Sequence, residues 1–233
     1  MRRPIPLAVA LVLLGAVEVQ AACSDSPAPG VDWSRCQKIN VKLQGQDLEG
    51  AKFVNAHLTN GDLSNANLSG ADLSGAMLVR TWLVGADLSG AILTKALLTR
   101  ANLSGADLDD AVLEKAELHR ANLSEASLAK ARMEKAEFGR AIMKGADLTD
   151  AMLAGGDLSR ADLRGATLDG TDVSGADFYR ADLRGADLSE SKGLTQDQLA
   201  DSCGDESTIL PDGMVKPDSW PCGTREDGDA DDD

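Results

Sequence analysis

Residues 71–90 read ADLSGAMLVRTWLVGADLSG, which is four consecutive blocks of five residues with one shared pattern. The third residue of each block is Leu, and the first is Ala or Thr. Such blocks run from Val41 to Glu190 without an insertion or deletion, so 150 residues make 30 blocks. The central residue is Leu almost throughout, and the exceptions are Phe53, Met133, Phe138, Met143, Val173 and Phe178.

A spacing of five residues fits neither an α-helix nor a flat β-strand. On an α-helix, five residues advance by about 500°, so the leucines would form no stripe. On a flat strand, an odd spacing would put successive leucines on opposite faces. The chain must therefore turn after each block, and four blocks then close a square coil with every central side chain inside. This predicts an all-β solenoid.

A coil of 20 residues predicts that side chains 20 positions apart stack about 4.8 Å from each other. The sequence has such a register, because six arginines recur at that interval: Arg80, Arg100, Arg120, Arg140, Arg160 and Arg180. A second, shorter column is formed by Lys95, Lys115 and Lys135. All seven prolines lie outside residues 41–190, as expected where backbone N–H groups bond between coils.

Blocks such as Ala71-Asp72-Leu73-Ser74-Gly75 resemble the consensus units of pentapeptide-repeat proteins. The resemblance covers residues 41–190, about two-thirds of the chain. It implies a right-handed quadrilateral β-helix. It implies little about function, although the best-known members are cytosolic proteins that resemble DNA and act on DNA gyrase.

Residues 1–21 are interpreted as a signal peptide. Arg2 and Arg3 precede an apolar run over residues 5–17, which is too short to span a bilayer, and Val19-Gln20-Ala21 suits cleavage. We therefore expect a periplasmic or secreted protein with no stable membrane span. Lipid anchoring through Cys23 is the disfavoured alternative, because Gln20 stands where an aliphatic residue is usual.

The four cysteines form two close pairs at the two ends, Cys23 with Cys36 and Cys203 with Cys222. In an oxidising compartment, two local disulfides are the simple outcome. They predict an N-terminal cap over 22–40, with Trp33 as a lid, and a C-terminal cap over 191–222. A capping-box pattern at residues 195–198 predicts a short helix to about Ser202. Residues 223–233 are predicted to be an acidic, disordered tail.

The composition argues against several classes of function. A net charge of −15 disfavours nucleic acid as a partner, and the aromatic fraction of 3% excludes a conventional globular core. The only histidines, His57 and His119, fall at outward positions on separate coils. We therefore predict no catalytic, cofactor-binding or metal-binding residue, and no enzyme activity.

The arginine column has two interpretations. Six stacked guanidinium groups are suited to a polyanion or a carboxylate ligand. Alternatively, an acidic column of Glu117, Glu137, Asp157 and Asp177 runs beside it and neutralises it, which we favour at this stage.

A second candidate site is apolar. Outward positions are nearly always polar, yet one region carries Met77, Trp82, Ile92, Leu97 and Val112. The 20-residue register places Met77 beside Leu97 and Ile92 beside Val112. We expect one patch that binds a second copy of the chain or an envelope protein.

Together these features predict an exported, non-enzymatic structural or protein-binding solenoid. The alternative from another class is a DNA-mimic regulator of a DNA-binding protein such as gyrase, which the signal peptide disfavours.

Overall fold

Every block of five residues forms one side of a coil in the computed structural model, which describes residues 23–222. The second residue of a block forms a parallel β-bridge with the residue 20 positions later, as in Asp72 with Ile92 and Met77 with Leu97. Four blocks therefore make one coil, and the predicted all-β solenoid is confirmed. Within residues 23–222 the bridges stay isolated instead of extending into longer strands, and one helix, α1, spans Gln196–Ala200.

The corners are tight turns. The N–H of Ala51 donates to the carbonyl of Leu48 at 3.0 Å, and Gly50 between them has φ +61°. A positive φ at the third residue of such a turn favours Gly or Asn. The corner recurs in every block, and 18 residues other than Gly also adopt positive φ there.

Each block satisfies its backbone N–H groups in a fixed way. In the block of residues 71–75, Ala71 donates within the turn, Asp72 donates to the preceding coil, and Leu73 and Gly75 donate to the following coil. The remaining N–H, that of Ser74, donates to the Asp72 carboxylate at 3.0 Å. Asp or Asn at the second position therefore completes the corner as an Asx turn.

This turn explains why Asp and Asn recur at the second block position, where they stack into acidic columns. Asn67, Asp87 and Asp147 accept N–H bonds two residues on in the same way, at 2.9–3.0 Å. Hydrogen bonds from Ser174 likewise hold the pKa of the Asp172 carboxyl below its usual range. Much of the acidity of this chain is thus part of the corner structure.

The core is a stack of central side chains surrounded by small residues. The leucines and the six exceptions at that position are buried, and so are the alanines two residues before them. Thr81 and Thr171 replace Ala without leaving a polar group unpaired, because their hydroxyls donate to the carbonyls of Leu58 and Leu148. Gly61 is needed for space, since a Cβ there would lie 2.9 Å from the Leu58 carbonyl oxygen.

The coil begins earlier than the predicted boundary at residue 41. Asp32 and Gln37 already form parallel bridges to Lys52 and His57, so residues 31–40 are two further blocks and not a separate cap. Trp33 stands at the central position of the first of them, buried and packed edge-on against Phe53. The predicted Trp33 lid is thus the first layer of the core.

The C-terminal residues close the other end. Lys192, Cys203 and Ile209 form the last bridges, so this segment continues the coil irregularly. Helix α1 opens with the predicted capping box at Thr195, buries Leu199, and ends at Ala200, slightly earlier than expected.

Both predicted disulfides, Cys23–Cys36 and Cys203–Cys222, are formed. The predicted signal peptide and acidic tail lie outside the described residues. Within the described range, no helix is long and apolar enough to cross a membrane.

Candidate functional site: the arginine edge and the apolar edges

The arginine column occupies one edge of the solenoid. Its members are corner residues of successive coils, and their φ values lie between 56° and 61°. Backbone bonds hold them in register, since Arg120 N–H donates to Gly139 and Arg140 N–H donates to Ser159. The expected spacing along the column is therefore the coil spacing of about 4.8 Å.

The predicted acidic column is present, but it does not pair with the arginines. Successive bridges align Glu117, Glu137, Asp157 and Asp177. Within residues 23–222, no side-chain hydrogen bond and no ion pair within 4 Å engages the guanidinium groups of Arg80, Arg100, Arg120, Arg140 and Arg160. The expected neutralisation by direct pairing is therefore wrong for these five arginines.

The acidic side chains have other partners. Glu137 Oε2 lies 2.8 Å from Nε2 of His119. Asp157 Oδ1 accepts the backbone N–H of Ser159 at 2.8 Å. The turn of residues 157–159 thus uses Oδ1 of Asp157, while Oδ2 lies beside Gly139.

A cleft interrupts the column at Gly139. This residue is buried, and its φ is not in the left-handed region, so the backbone does not require glycine there. Every other block from 41 to 190 carries a side chain at this turn position. Its absence opens a cleft of about 330 Å³ lined by His119, Arg120, Gly139, Arg140, Asp157, Ser159 and Arg160.

The cleft brings cations and acceptors together. Arg120 and Arg160 are half-buried, while Arg140 is exposed between them. A Cβ at Gly139 would lie 3.4 Å from Asp157 Oδ2 and 2.9 Å from His119 Nδ1, so both side chains face the glycine. Among the residues that line the cleft, three guanidinium groups accompany one carboxylate, that of Asp157.

The apolar residues lie on three successive faces of the coil, and the two on the middle face, Met77 and Leu97, are bridged neighbours as the register predicted. That they form one binding patch stays a prediction. Ile92 and Val112 lie on one face, and Met77 and Leu97 lie on the next. Trp82 lies one block beyond Met77, on a third face, and bridges to Asn102. Because each block turns a corner, Trp82 and Ile92 are on opposite sides of the coil.

Both corners that border the face of Met77 and Leu97 are apolar, and we call them the apolar edges. Trp82 is 55% exposed and Met77 is 38% exposed, and the half-buried Val79 lies at the corner between their faces. Ile92, 39% exposed, and the half-buried Leu97 flank the corner of Lys95. These edges lie on the N-terminal half of the coils, away from the cleft at Gly139.

Other arginines pair locally near the C-terminal end. Arg164 and Arg184 each form a two-pronged contact with the carboxylate two residues before, Asp162 and Asp182. Burial alone would raise the pKa of Asp162, but the hydrogen bonds and charges of Arg164 and the charge of Arg184 hold it below its usual range. Bonding to Asp182 raises the pKa of Arg184. An arginine at the fourth block position therefore reaches its own Asx carboxylate, in contrast to the corner arginines.

Metal chemistry has no candidate in this part of the chain. Among residues 23–222, no group of three or more His, Cys, Asp or Glu side chains is arranged to hold a metal ion. His57 contacts Gln37 on the neighbouring coil, while His119 contacts Glu137, so the two histidines lie apart.

The comparisons with known proteins identify the repeat. The family model described as pentapeptide repeats (8 copies) matches residues 39–75, 51–90, 82–120, 116–155 and 157–192. A comparison with curated proteins finds no match.

The solved structures that match this chain include other pentapeptide repeat proteins. One is HetL, a pentapeptide repeat protein involved in heterocyst differentiation regulation in the cyanobacterium Nostoc; it is 27% identical, with 87% of this chain and 92% of that one covered and a TM-score of 0.49. A pentapeptide repeat protein from the cyanobacterium Cyanothece is 32% identical over 49% of this chain and 63% of its own, with a TM-score of 0.37. A third, from the thylakoid lumen of Arabidopsis thaliana, is 31% identical over 45% and 63%, with a TM-score of 0.23.

Proposed function

Because the chain belongs to the pentapeptide-repeat family, we propose that it is an exported, non-enzymatic protein that binds another protein through the faces of its solenoid. The right-handed winding implied by the family belongs to this proposal. The partner is a second copy of the chain or a protein of the same compartment, which we take to be the periplasm or the exterior.

The observation that carries the proposal is the exposed apolar edge of Met77 and Trp82. The central and small side chains fill the coil interior, so the apolar outward groups are not required by the core. A Trp that is half exposed on a rigid face is typical of the anchor residues of protein interfaces. The rigid coil also presents this edge without an ordering cost.

Export is supported by the two disulfides. Each closes one end of the solenoid, where exposed core and unpaired backbone groups otherwise invite opening. Such bonds persist in oxidising compartments. A fusion to a reporter that is active only after export tests the compartment, and an inactive fusion with the protein in the cytosol would contradict it.

The DNA-mimic alternative depends on acidic columns. Those columns already have a structural role, because Asp and Asn side chains complete the corner turns. Their presence therefore does not require a basic partner, and we favour the apolar edges as the binding surface.

The binding surface is tested with Trp82→Ser combined with Leu97→Ser. Ile142→Ser is the matched control, because Ile142 is an exposed apolar residue three coils further along the same face as Trp82. We expect sedimentation velocity and affinity capture from envelope extract to show loss of a dimer or partner only in the double variant. A monomer with an unchanged set of captured proteins in all three would refute the proposal.

A further inference from the structure

The arginine edge has the features of a ligand site. Its first coil, with Arg80 at the corner between Met77 and Trp82, is shared with the apolar surface of the protein-binding proposal, whereas that proposal does not use the coils from Arg100 onward. Five successive guanidinium groups, from Arg80 to Arg160, have no ion-pair partner among the described residues. Like charges one coil apart repel each other. A column of this kind is stabilised by an anion that bridges neighbouring arginines, since guanidinium groups bind carboxylate and sulfate oxygens in pairs.

The glycine at position 139 distinguishes the middle of the column. Its φ permits any residue, and the coil neighbours His119 and Ser159 carry side chains at the same turn position. The cleft is lined by Arg120 and Arg160, which are themselves half-buried, and the His119 ring lies where a Cβ at position 139 would be. Space and cationic groups therefore coincide at one place on the column.

The cleft also offers groups for uncharged hydroxyls. Asp157 uses Oδ1 for its turn, whereas Oδ2 faces the space beside Gly139. The hydroxyl of Ser159 bonds to no residue in the described range, in contrast to that of Ser74, which donates to its own Asx carboxylate. A ligand that carries acidic groups and hydroxyls together fits this combination, because a carboxylate oxygen would repel a purely anionic surface.

We propose that Arg120, Arg140 and Arg160, with the cleft at Gly139, bind a linear acidic polysaccharide that runs along the arginine edge. Sulfate or carboxylate groups of the polymer contact the guanidinium groups. Sugar hydroxyls donate to Asp157 and bond to Ser159. Arg80, Arg100 and Arg180 extend the cationic track to about five coil spacings, or roughly 24 Å.

Nucleic acid fits this edge less well. Along the axis of duplex DNA, consecutive phosphates of one strand are offset by about 3.4 Å, whereas the arginines repeat at about 4.8 Å along the solenoid. Binding of single strands also uses aromatic stacking platforms, and Tyr179 is the one aromatic residue in the column of turn residues beside the arginines. The chain as a whole carries a net charge of −15, which repels a polyphosphate away from this edge.

The first test replaces charge at matched corners. One variant carries Arg120→Gln, Arg140→Gln and Arg160→Gln. Its control carries Lys95→Gln, Lys115→Gln and Lys135→Gln, which removes the same charge from a corner with the same positive φ. Binding of heparin, polygalacturonate and a single-stranded oligonucleotide is measured by calorimetry at low and physiological salt.

We expect the arginine variant to lose at least about tenfold in affinity for heparin or polygalacturonate, which corresponds to one lost charge-assisted contact. The lysine variant should lose less than about twofold. The comparison of heparin with polygalacturonate separates sulfate from carboxylate recognition. Equal losses in both variants, no binding of either polysaccharide by the unaltered protein, or tighter binding of the oligonucleotide would each overturn the proposal.

The second test fills the cleft and leaves every charge in place. In Gly139→Ser the new Cβ meets His119 Nδ1 at 2.9 Å, so the ring must shift into the cleft. Ala154→Ser is the control, because it gives the same final side chain at the same turn position of another corner, where a Cβ is already present. With unchanged circular dichroism, we expect a several-fold loss of polysaccharide affinity in Gly139→Ser alone. Affinity equal to that of the control would refute the role of the cleft.

Discussion

The substitution Arg140→Gly should stabilise the fold while it weakens the arginine edge. Arg140 has φ +60°, a conformation that an L-residue with a side chain adopts at a cost. Its side chain makes no contact that would offset that cost, since no ion pair or hydrogen bond engages it within the described residues. Its backbone N–H bond to Ser159, at 2.9 Å, does not depend on the side chain.

The size of the effect follows from two opposing terms. The left-handed conformation costs about 1–2 kcal/mol for a residue other than Gly. Glycine gains extra freedom in the unfolded chain, which offsets about 0.4–1 kcal/mol of this. The net gain in the free energy of unfolding should be about 0.5–1 kcal/mol, or roughly 1–4 °C in melting temperature for a chain of this size.

Two control variants separate the backbone effect from the charge effect. Arg140→Gln removes the charge and keeps a side chain at positive φ. Gly105→Ala makes the reverse change at a corner with φ +63°, where a Cβ meets nothing within 4 Å, so steric contact adds nothing. Urea denaturation followed by far-ultraviolet circular dichroism gives the free energy of each variant.

We expect the order of stability to be Arg140→Gly, then the unaltered protein and Arg140→Gln together, with Gly105→Ala below them. If Arg140→Gly is no more stable than Arg140→Gln, positive φ does not determine the cost of a side chain at the corners. If it is more stable and also binds polysaccharide less well, the arginine is present for binding at the expense of stability.

Three further predictions concern the core, the charges and the ends. Leu118→Ala should cost about 2–5 kcal/mol in urea denaturation because this side chain is fully buried, whereas Leu97→Ala on the outer face of the preceding coil should cost under about 1 kcal/mol. The pKa of Asp162 is held below its ordinary value of 3.8, so the contribution of its ionised form to the free energy of unfolding is complete above pH 3.8 and is lost as the pH falls through the lower folded-state pKa. Asp162→Asn should therefore make the free energy of unfolding depend less on pH in this range. An unchanged pH dependence would contradict this. Replacing Cys203 and Cys222 with Ala should lower the free energy of unfolding by about 3 kcal/mol and should speed amide hydrogen exchange in the last coil only. Faster exchange in the central coils as well would show that the coils do not open independently.

Much of the fold could be predicted because the repeat solves a local problem five residues at a time. A buried residue at the centre and a small residue two positions before it suffice to close a square coil. The disulfides were predictable from the separation of the cysteines into two terminal pairs. The start of the coil was missed because the blocks of residues 31–40 carry Trp33 and Lys38 where Leu is usual.

The candidate sites were less accessible to sequence reasoning. The register correctly aligned the arginine and acidic columns, but spacing alone could not show that Asp157 bonds to the Ser159 backbone in preference to an arginine. Gly139 could have been singled out from the sequence, because it is the one glycine at the fourth position of the blocks from 41 to 190. Its meaning depended on His119 and the arginines around it.

The period, the coil of four blocks, and the inward or outward direction of each position follow from the amino-acid sequence alone. They do so because backbone bonding and core burial repeat identically in every block, so local rules apply without knowledge of distant contacts. The tertiary structure was needed to show which outward charged side chains remain without an ion-pair partner within residues 23–222. Consecutive blocks are separated by a quarter turn, so Trp82 and Ile92, two blocks apart, lie on opposite sides of the coil. The partner of each charged group depends on how far its side chain extends towards neighbouring coils, which the sequence spacing does not give.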